Sequence, residues 1–537
     1  MAPSPHESGS ERTITTPSVS SSSSSKSLDG LSSEQAKKDG DSEHTHLPQP
    51  EKDVETAAAA SSVHSPSCIV GWSGQGDQQN PQNFTVVQKV SISLVISLMN
   101  LTVSLAVSVF SAMLEVVAAE FKQDRPEKME STLTAYILGL AFGPVLFGPA
   151  SEYYGRKRPL ILGVGGFVLF CTFTTYVSNV QALLLCRFLA AACGSAAYVI
   201  PPGIFVDLYG PVGRAVGYQI FATAAFIGGS LGPAVAACMI YHGINWRWTL
   251  YLVNGITFPL IVAMLFLPET LGPCILQTKA RQLRLTTGDW SLHTRQEESA
   301  VNFSKYLAKP WKMLVQEPVL IVVTTAFTID YAVFSETYSW VPFAFSMRGW
   351  KPLYAYSALL LTIPGFILGC AIVVIDTKTR FQRHFKKALI TAPESRLPPL
   401  VAGMALLSIG LLTFAWTCAR HIPWQIQGFS EVLFGCGMYL VWVTATVYIQ
   451  DLYVSHSNSA LAACSFVRYT IGAAAPMLSS LLRRKLGLPW AVSALGITCA
   501  VLVPAHMLLY FFGRKVRAWS KFALHDTYSA DADEPRL

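Results

Sequence analysis

Long apolar runs recur along this chain from about Val86 to Phe512, and they leave few folds open. About twelve are present, at approximately 88–118, 131–150, 158–178, 181–203, 214–241, 248–268, 318–342, 353–375, 398–418, 424–447, 458–481 and 490–512. A helix of about 20 apolar residues crosses a hydrocarbon core of ~30 Å. In lipid every backbone N–H and C=O must be satisfied internally, and runs of this length do so as helices. The expected fold is therefore an all-α membrane protein of twelve transmembrane helices. Composition agrees, with 51% hydrophobic and 14% charged residues against about 25% charged in a soluble domain.

The amino-terminal segment 1–86 reads differently. It contains "SVSSSSSSKS", scattered charges and almost no large apolar residue before Ile69. Such a segment buries too little surface to offset its ordering entropy, so a disordered tail is expected. It lacks a basic start, apolar stretch and small-residue cleavage site, so the first span is expected to act as the targeting signal. Of the eleven cysteines, Cys171, Cys186, Cys193, Cys238, Cys370, Cys436, Cys464 and Cys499 are among those inside apolar runs, without a C-x-x-C or a Cys/His cluster. They are expected to be small buried hydrophobes rather than ligands.

Charge placement sets the expected orientation. Loops on the side of the amino terminus carry Arg156, Lys157, Arg158 and Arg214, then Lys279 to Lys312, then Lys378 to Arg396. The opposite loops carry fewer bases, apart from Arg483, Arg484 and Lys485, which run against the trend. The bias places both termini in the cytoplasm. A polar, basic segment, 269–317, divides the spans into two six-helix halves, 87–268 and 318–513, with 514–537 as a cytoplasmic tail. A site at the midplane between two such halves is typical of secondary transporters.

One short loop narrows this reading. "FGPASEYYGRKRPL" between the second and third spans has Gly148, Glu152, Gly155, Arg156 and Lys157 in the spacing G-x-x-x-[DE]-x-x-G-R-[KR]. Glycine at 148 permits close helix approach and glycine at 155 a tight turn. An acid with two bases at a helix boundary can form a charge network that shuts an inner gate. This spacing resembles the signature of the major facilitator superfamily, with Glu152 where Asp is usual and Tyr153 where a base is usual. "RFLAAACGSAA", carrying Arg187 in the fourth span, is similar to the family's fourth-span arginine motif. "GGSLGP" in the fifth span, with Gly228, Gly232 and Pro233, resembles the antiporter motif of proton-driven exporters.

The flanking stretches "DQQNPQNF", "NWRWTLYLVNG", "LPET", "SNSALAACSFVRYTIGAAAP" and "LGLPWAVSALG" resemble the fungal twelve-span drug:proton antiporters. The resemblance spans about Asp77 to Ala523. It implies the major facilitator fold, with two pseudo-symmetric halves. It also implies an inner gate in which Arg156 meets Asp207, with Arg214 close by.

Ionisable side chains inside the membrane cost about 2.5–3.5 kcal/mol each on insertion scales, so each needs a partner or a function. The candidates for substrate or proton coupling are Arg187, Asp330, Glu336, Glu431 and Arg468. Arg187 and Arg468 coincide with arginines of the family; either can instead fix the bundle by pairing. Asp330 lies near mid-depth in the seventh span and is the first choice for a proton site. Glu336 follows six residues on, about 120° round the helix, and shares a face with Trp340. An ion pair between Asp330 and Arg468 is the structural alternative. Tyr198, Tyr331, Tyr338 and Trp340 offer an aromatic surface for a planar ligand.

The reading is a transporter and not an enzyme: a secondary active exporter of a small organic compound, exchanged for protons by alternating access. An importer or polyamine carrier is the alternative; a membrane-bound enzyme or receptor has less support, since no nucleotide loop or nucleophile–base motif is present. The expected partners are a small-molecule substrate, protons and the bilayer, with no nucleic acid, no metal and no cofactor beyond the proton gradient. A monomer in the plasma membrane is expected, the vacuolar membrane being the other possibility.

Overall fold

The computed structural model describes residues 69–520, apart from 75, 123–125, 299–302 and 384–392. Of the expected disordered tail 1–86, residues 1–68 lie outside the described residues, as does the chain after residue 520; the described remainder includes a short helical turn, Pro81–Asn83. Among the described residues twelve helices are long and apolar enough to cross a membrane: α1 Val86–Glu120, α2 Met129–Tyr153, α3 Lys157–Tyr176, α4 Val180–Leu208, α5 Pro211–Tyr241 and α6 Arg247–Phe266, then α7 Pro318–Met347, α8 Pro352–Phe381, α9 Pro393–Trp416, α10 Trp424–Leu452, α11 Ser457–Leu486 and α12 Leu488–Arg517. Among the described residues the only extended pairing is a single bridge between Ile69 and His293.

Local chemistry sets the helix starts. Thr85 and Gln88 cap α1 reciprocally: Thr85 Oγ1 accepts from the Gln88 N–H at 3.3 Å, and Gln88 Oε1 from the Thr85 N–H at 3.1 Å. Proline opens α5, α7 and α8, where its missing N–H costs nothing. Several spans run longer than their apolar runs suggest, the fourth and eighth among them. The fourth continues to Leu208, which keeps Asp207 on the helix, and a π turn over Thr377–Phe381 extends the eighth.

Within the amino-terminal half α1 packs on α5, α2 and α3 on α4, and α3 on α6. In the second half α9 packs on α10 and α12, α8 on α10, and α7 on α11. The halves meet along α2–α11 and α5–α8. The GGSLGP stretch explains the closeness of the α1–α5 pair. A Cβ at Gly228 would overlap the Leu101 carbonyl, and one at Gly232 would meet the Leu105 carbonyl at 2.8 Å. Large apolar side chains such as Leu162, Phe258, Phe266 and Phe511 remain exposed on the outer faces, where lipid tails would cover them.

The central segment 269–317 is not an open loop. It holds helices Gly272–Thr287 and Phe303–Gln316, the first ending on Gly288 with φ +71°. The chain ahead of α1 runs against the first of these: Val70 N–H donates to the His293 carbonyl at 2.8 Å, and Lys279 Nζ lies 2.9 Å from Asp77. The backbone N–H groups of Ser73 and Gln79, helped by Lys279, pull the Asp77 carboxyl down to about 2. Among the described cysteines none is in a disulfide, and Cys238, expected to be buried, is exposed on α5.

Candidate functional site: a shut gate and an open cavity

The end of the bundle that carries the central segment is closed by buried polar links. Gly155 takes φ +93°, which turns the chain between α2 and α3. Glu269, from the "LPET" stretch, then accepts from the backbone N–H groups of Arg156 at 2.8 Å and Lys157 at 3.1 Å, so a carboxylate sits on the free amides that open α3. Arg156 Nε reaches Asp207 at 2.9 Å, and its Nη1 donates to Ser151 Oγ at 3.1 Å. Burial works against the charge on Arg156, yet Asp207, Glu152 and Glu269 around it hold the guanidinium proton more tightly than usual.

These links lie within the first half; others cross to the second. Glu152 accepts from Ser459 at both its backbone N–H, 3.0 Å, and its hydroxyl, 2.8 Å, at the start of α11. Asn458 Nδ2 donates to Ser151 Oγ at 3.1 Å. Gly148 lets α2 come this close, since a Cβ there would lie 3.1 Å from Ala462 Cβ and 3.2 Å from the Asn458 carbonyl. Arg214, expected close by the Arg156–Asp207 pair, forms its own link between the halves. It crosses to Asp451 at the end of α10, which also binds Arg396 Nε at 2.8 Å. Arg396 Nη2 donates back to the Pro211 carbonyl at 2.9 Å, and Gln450 to the Pro202 carbonyl at 3.1 Å. Lys309 Nζ, on the second central helix, lies 3.0 Å from His456 Nδ1.

Asp451, Arg396, Glu269, Asn458 and Ser459 were not singled out from the sequence. A signal was present for Asp451: the triplet Asp207-Leu208-Tyr209 recurs as Asp451-Leu452-Tyr453, at the ends of α4 and α10. Each aspartate pairs with an arginine of the preceding hairpin in its own half.

Gly155→Ala is expected to loosen this corner. Left-handed backbone costs a non-glycine residue about 1–2 kcal/mol, and the new Cβ would press on Glu269 Oε2, 2.6 Å away. The purified variant should melt several degrees lower, and Glu269→Ala should lower it in the same range; an unchanged melting temperature in Gly155→Ala would remove the turn from the gate.

Toward the opposite end the halves part around a cavity of about 660 Å³. Its mouth is formed by Glu115, Glu130, Lys351 and Arg483 at helix ends, and its wall includes Tyr136, Arg187, Tyr331, Phe334, Glu336 and Tyr338. Arg187 lies between two rings, 4.0 Å from the centroid of Phe110 and 4.3 Å from that of Tyr136. It is 3% exposed, and its Nε and Nη2 have no hydrogen-bond partner. Glu336 is 2% exposed and lies against Ser479, with Arg483 and Glu130 as its charged neighbours. Arg483, from the basic cluster that ran against the charge trend, donates to Ser339 Oγ at 2.9 Å and covers the Phe343 ring.

The remaining sequence candidates fall elsewhere. Asp330 does not line the cavity: its nearest electrostatic neighbours are Arg468 and Cys499 of α12, and neither carboxylate oxygen has a hydrogen-bond partner. No ion pair joins it to Arg468, which sits instead over Trp442 at 4.2 Å and Tyr469 at 4.4 Å. Glu431 is fully buried in α10, away from the cavity wall. Of the four aromatic candidates, Tyr331 and Tyr338 line the cavity, while Tyr198 and Trp340 do not. Trp340 Nε1 donates to Ser479 Oγ at 2.8 Å, behind Glu336.

A twelve-span bundle in two halves, shut at one end and hollow at the other, defines a membrane carrier. The model of the Major Facilitator Superfamily matches residues 96–476, and the chain belongs to that superfamily. It is 34% identical to a citrinin biosynthesis cluster transporter of Monascus ruber, over 88% of this chain and 96% of the relative. An ascochitine biosynthesis cluster transporter of Didymella fabae is 33% identical over 85% and 89%. A cercosporin transporter of Cercospora nicotianae is 30% identical over 86% and 91%. The fold is shared with the proton:xylose symporter XylE, at 15% identity and a TM-score of 0.61, over 80% of this chain and 96% of that one.

Proposed function

We propose that this transporter exports a small organic metabolite in exchange for protons, by alternating access. The cavity carries the reading: it reaches Arg187 from one end, while the Glu152–Ser459 and Arg214–Asp451–Arg396 links block the other. The state is then the outward-facing one, because the basic residues of the shut end belong on the cytoplasmic side. The host membrane is the plasma membrane, and the relatives named for biosynthesis clusters support a secondary metabolite or toxin as cargo.

Proton coupling needs an acid that meets the cavity and changes its protonation during the cycle. Glu336 takes that role in preference to Asp330, because it is the deeply buried acid among the three that line the wall. The test uses proteoliposomes with an imposed pH gradient and citrinin, ascochitine and cercosporin as candidate cargo. Wild-type protein should accumulate at least one of them against its gradient. Glu336→Gln should lose gradient-driven accumulation by about tenfold or more and still exchange cargo down its own gradient, and Asp330→Asn should retain accumulation. Full coupling in Glu336→Gln would exclude the assignment, and transport indifferent to the pH gradient would exclude proton exchange.

A further inference from the structure

We infer that the cavity takes an aromatic anion, a planar ring system bearing a carboxylate or phenolate whose oxygens are received by Arg187, Tyr136 and Tyr338. This deepens the reading of the cavity as the cargo site and rests on it. The starting observation is a set of donors without acceptors. Arg187 Nε and Nη2, Tyr136 Oη and Tyr338 Oη are all buried, and none has a hydrogen-bond partner. All three side chains line the same cavity.

A buried guanidinium stays charged, since arginine is not deprotonated in proteins. It therefore calls for a counter-charge, and leaving a buried ion uncompensated is strongly unfavourable. The protein does not supply one here. The titratable groups that face Arg187 are Tyr136 on α2 and Cys171 on α3, and no carboxylate among the described residues lies within 4 Å of it. The faces of Phe110 and Tyr136 offset part of the cost by cation–π attraction. They leave its hydrogen bonds unmade.

What fits beside such donors is a group that only accepts. A carboxylate offers two oxygens and no proton, and a planar fork matches the guanidinium better than a single carbonyl does. A cation would meet Arg187 head-on. The rest of the ligand is defined by the rings: Phe334 and Tyr338 stand nearly perpendicular with centroids 5.2 Å apart, and Tyr331 and Phe334 follow along the same wall. Such a surface receives a flat aromatic body by edge and face contacts. The acids Glu115 and Glu130 share the mouth with Lys351 and Arg483, so the entrance presents both signs. Further in, the wall carries the cation Arg187 and one buried acid, Glu336, which lies against Ser479 with Arg483 as its cationic neighbour.

The experiment measures equilibrium binding to the purified full chain, without transport. Three probes share one ring system and differ in charge: 1-naphthoate, 1-naphthamide and 1-naphthylmethylammonium. 1-Naphthoate should bind at least tenfold more tightly than either of the others. Arg187→Gln should abolish that preference, and Arg187→Lys should keep part of it. Tyr338→Phe and Tyr136→Phe, which keep the ring packing, should each weaken 1-naphthoate about threefold and leave 1-naphthamide within twofold. A merely structural Arg187 would shift all three probes alike. Equal binding of the three probes to the wild-type protein, including no binding of any, overturns the inference, as does a preference for the ammonium. Failure of the export reading would instead appear as absent transport with the binding preference intact.

Discussion

Asp451→Asn is expected to open the shut end of the bundle. Asp451 is 4% exposed and is shared by Arg214 and Arg396, themselves 2% and 4% exposed. Asparagine keeps the size and can accept a hydrogen bond, but it removes the buried negative charge that Arg214 and Arg396 share. Removing one partner of a buried pair costs about 3–5 kcal/mol. That is at least ~100-fold in the balance between two conformations, since every 1.4 kcal/mol is about tenfold. The penalty falls on the state in which Arg214 is buried, so the state opened at this end gains.

Spin labels at Gly213 and Arg514, in opposite halves, would read the change as a longer distance distribution. Adding Arg214→Gln should restore part of the closed population by removing one of the two positive charges that Asp451 offset. Arg156→Ala breaks the matching pair with Asp207 and should abolish efflux with normal abundance and targeting. An unaltered distance distribution in Asp451→Asn would mean the α5–α10 link does not hold the gate.

Gly228→Val should prevent correct folding rather than alter transport. At Gly228 the clash is with the Leu101 carbonyl, which is backbone and cannot rotate away. Overpacking of side chains typically costs about 1–3 kcal/mol, and a backbone overlap between two long helices exceeds that range. The helices α1 and α5 would have to separate along the whole of their contact. A matched control exists at Gly165 on α3, where a Cβ would meet nothing within 4 Å. Gly228→Val should therefore lose the monodisperse peak in size-exclusion chromatography, while Gly165→Val keeps it with little change in melting temperature. Similar behaviour of the two variants would contradict the packing role given to the antiporter-like motif.

The sequence alone determined the architecture, because hydrocarbon imposes its own rule. Each run of about 20 apolar residues has one way to satisfy its backbone in lipid, so twelve runs meant twelve helices, and their ends were legible from prolines and polar caps. The spacing of Gly148, Gly155 and Arg156 likewise marked one corner before any contact was seen, since a positive φ and a close approach each call for glycine. Tertiary structure decided which charges meet. Asp330 and Glu336 are six residues apart on one helix, and sequence could not say which of them faced the cavity, because that depends on how α7 is rotated against α11 and α12. Arg214 pairs with Asp451 across 237 positions, a contact set by how the halves dock. Whether Arg187 has a counter-ion is also a fact of three dimensions: it is settled by the absence of any neighbouring carboxylate among the described residues, and a linear sequence does not record neighbours.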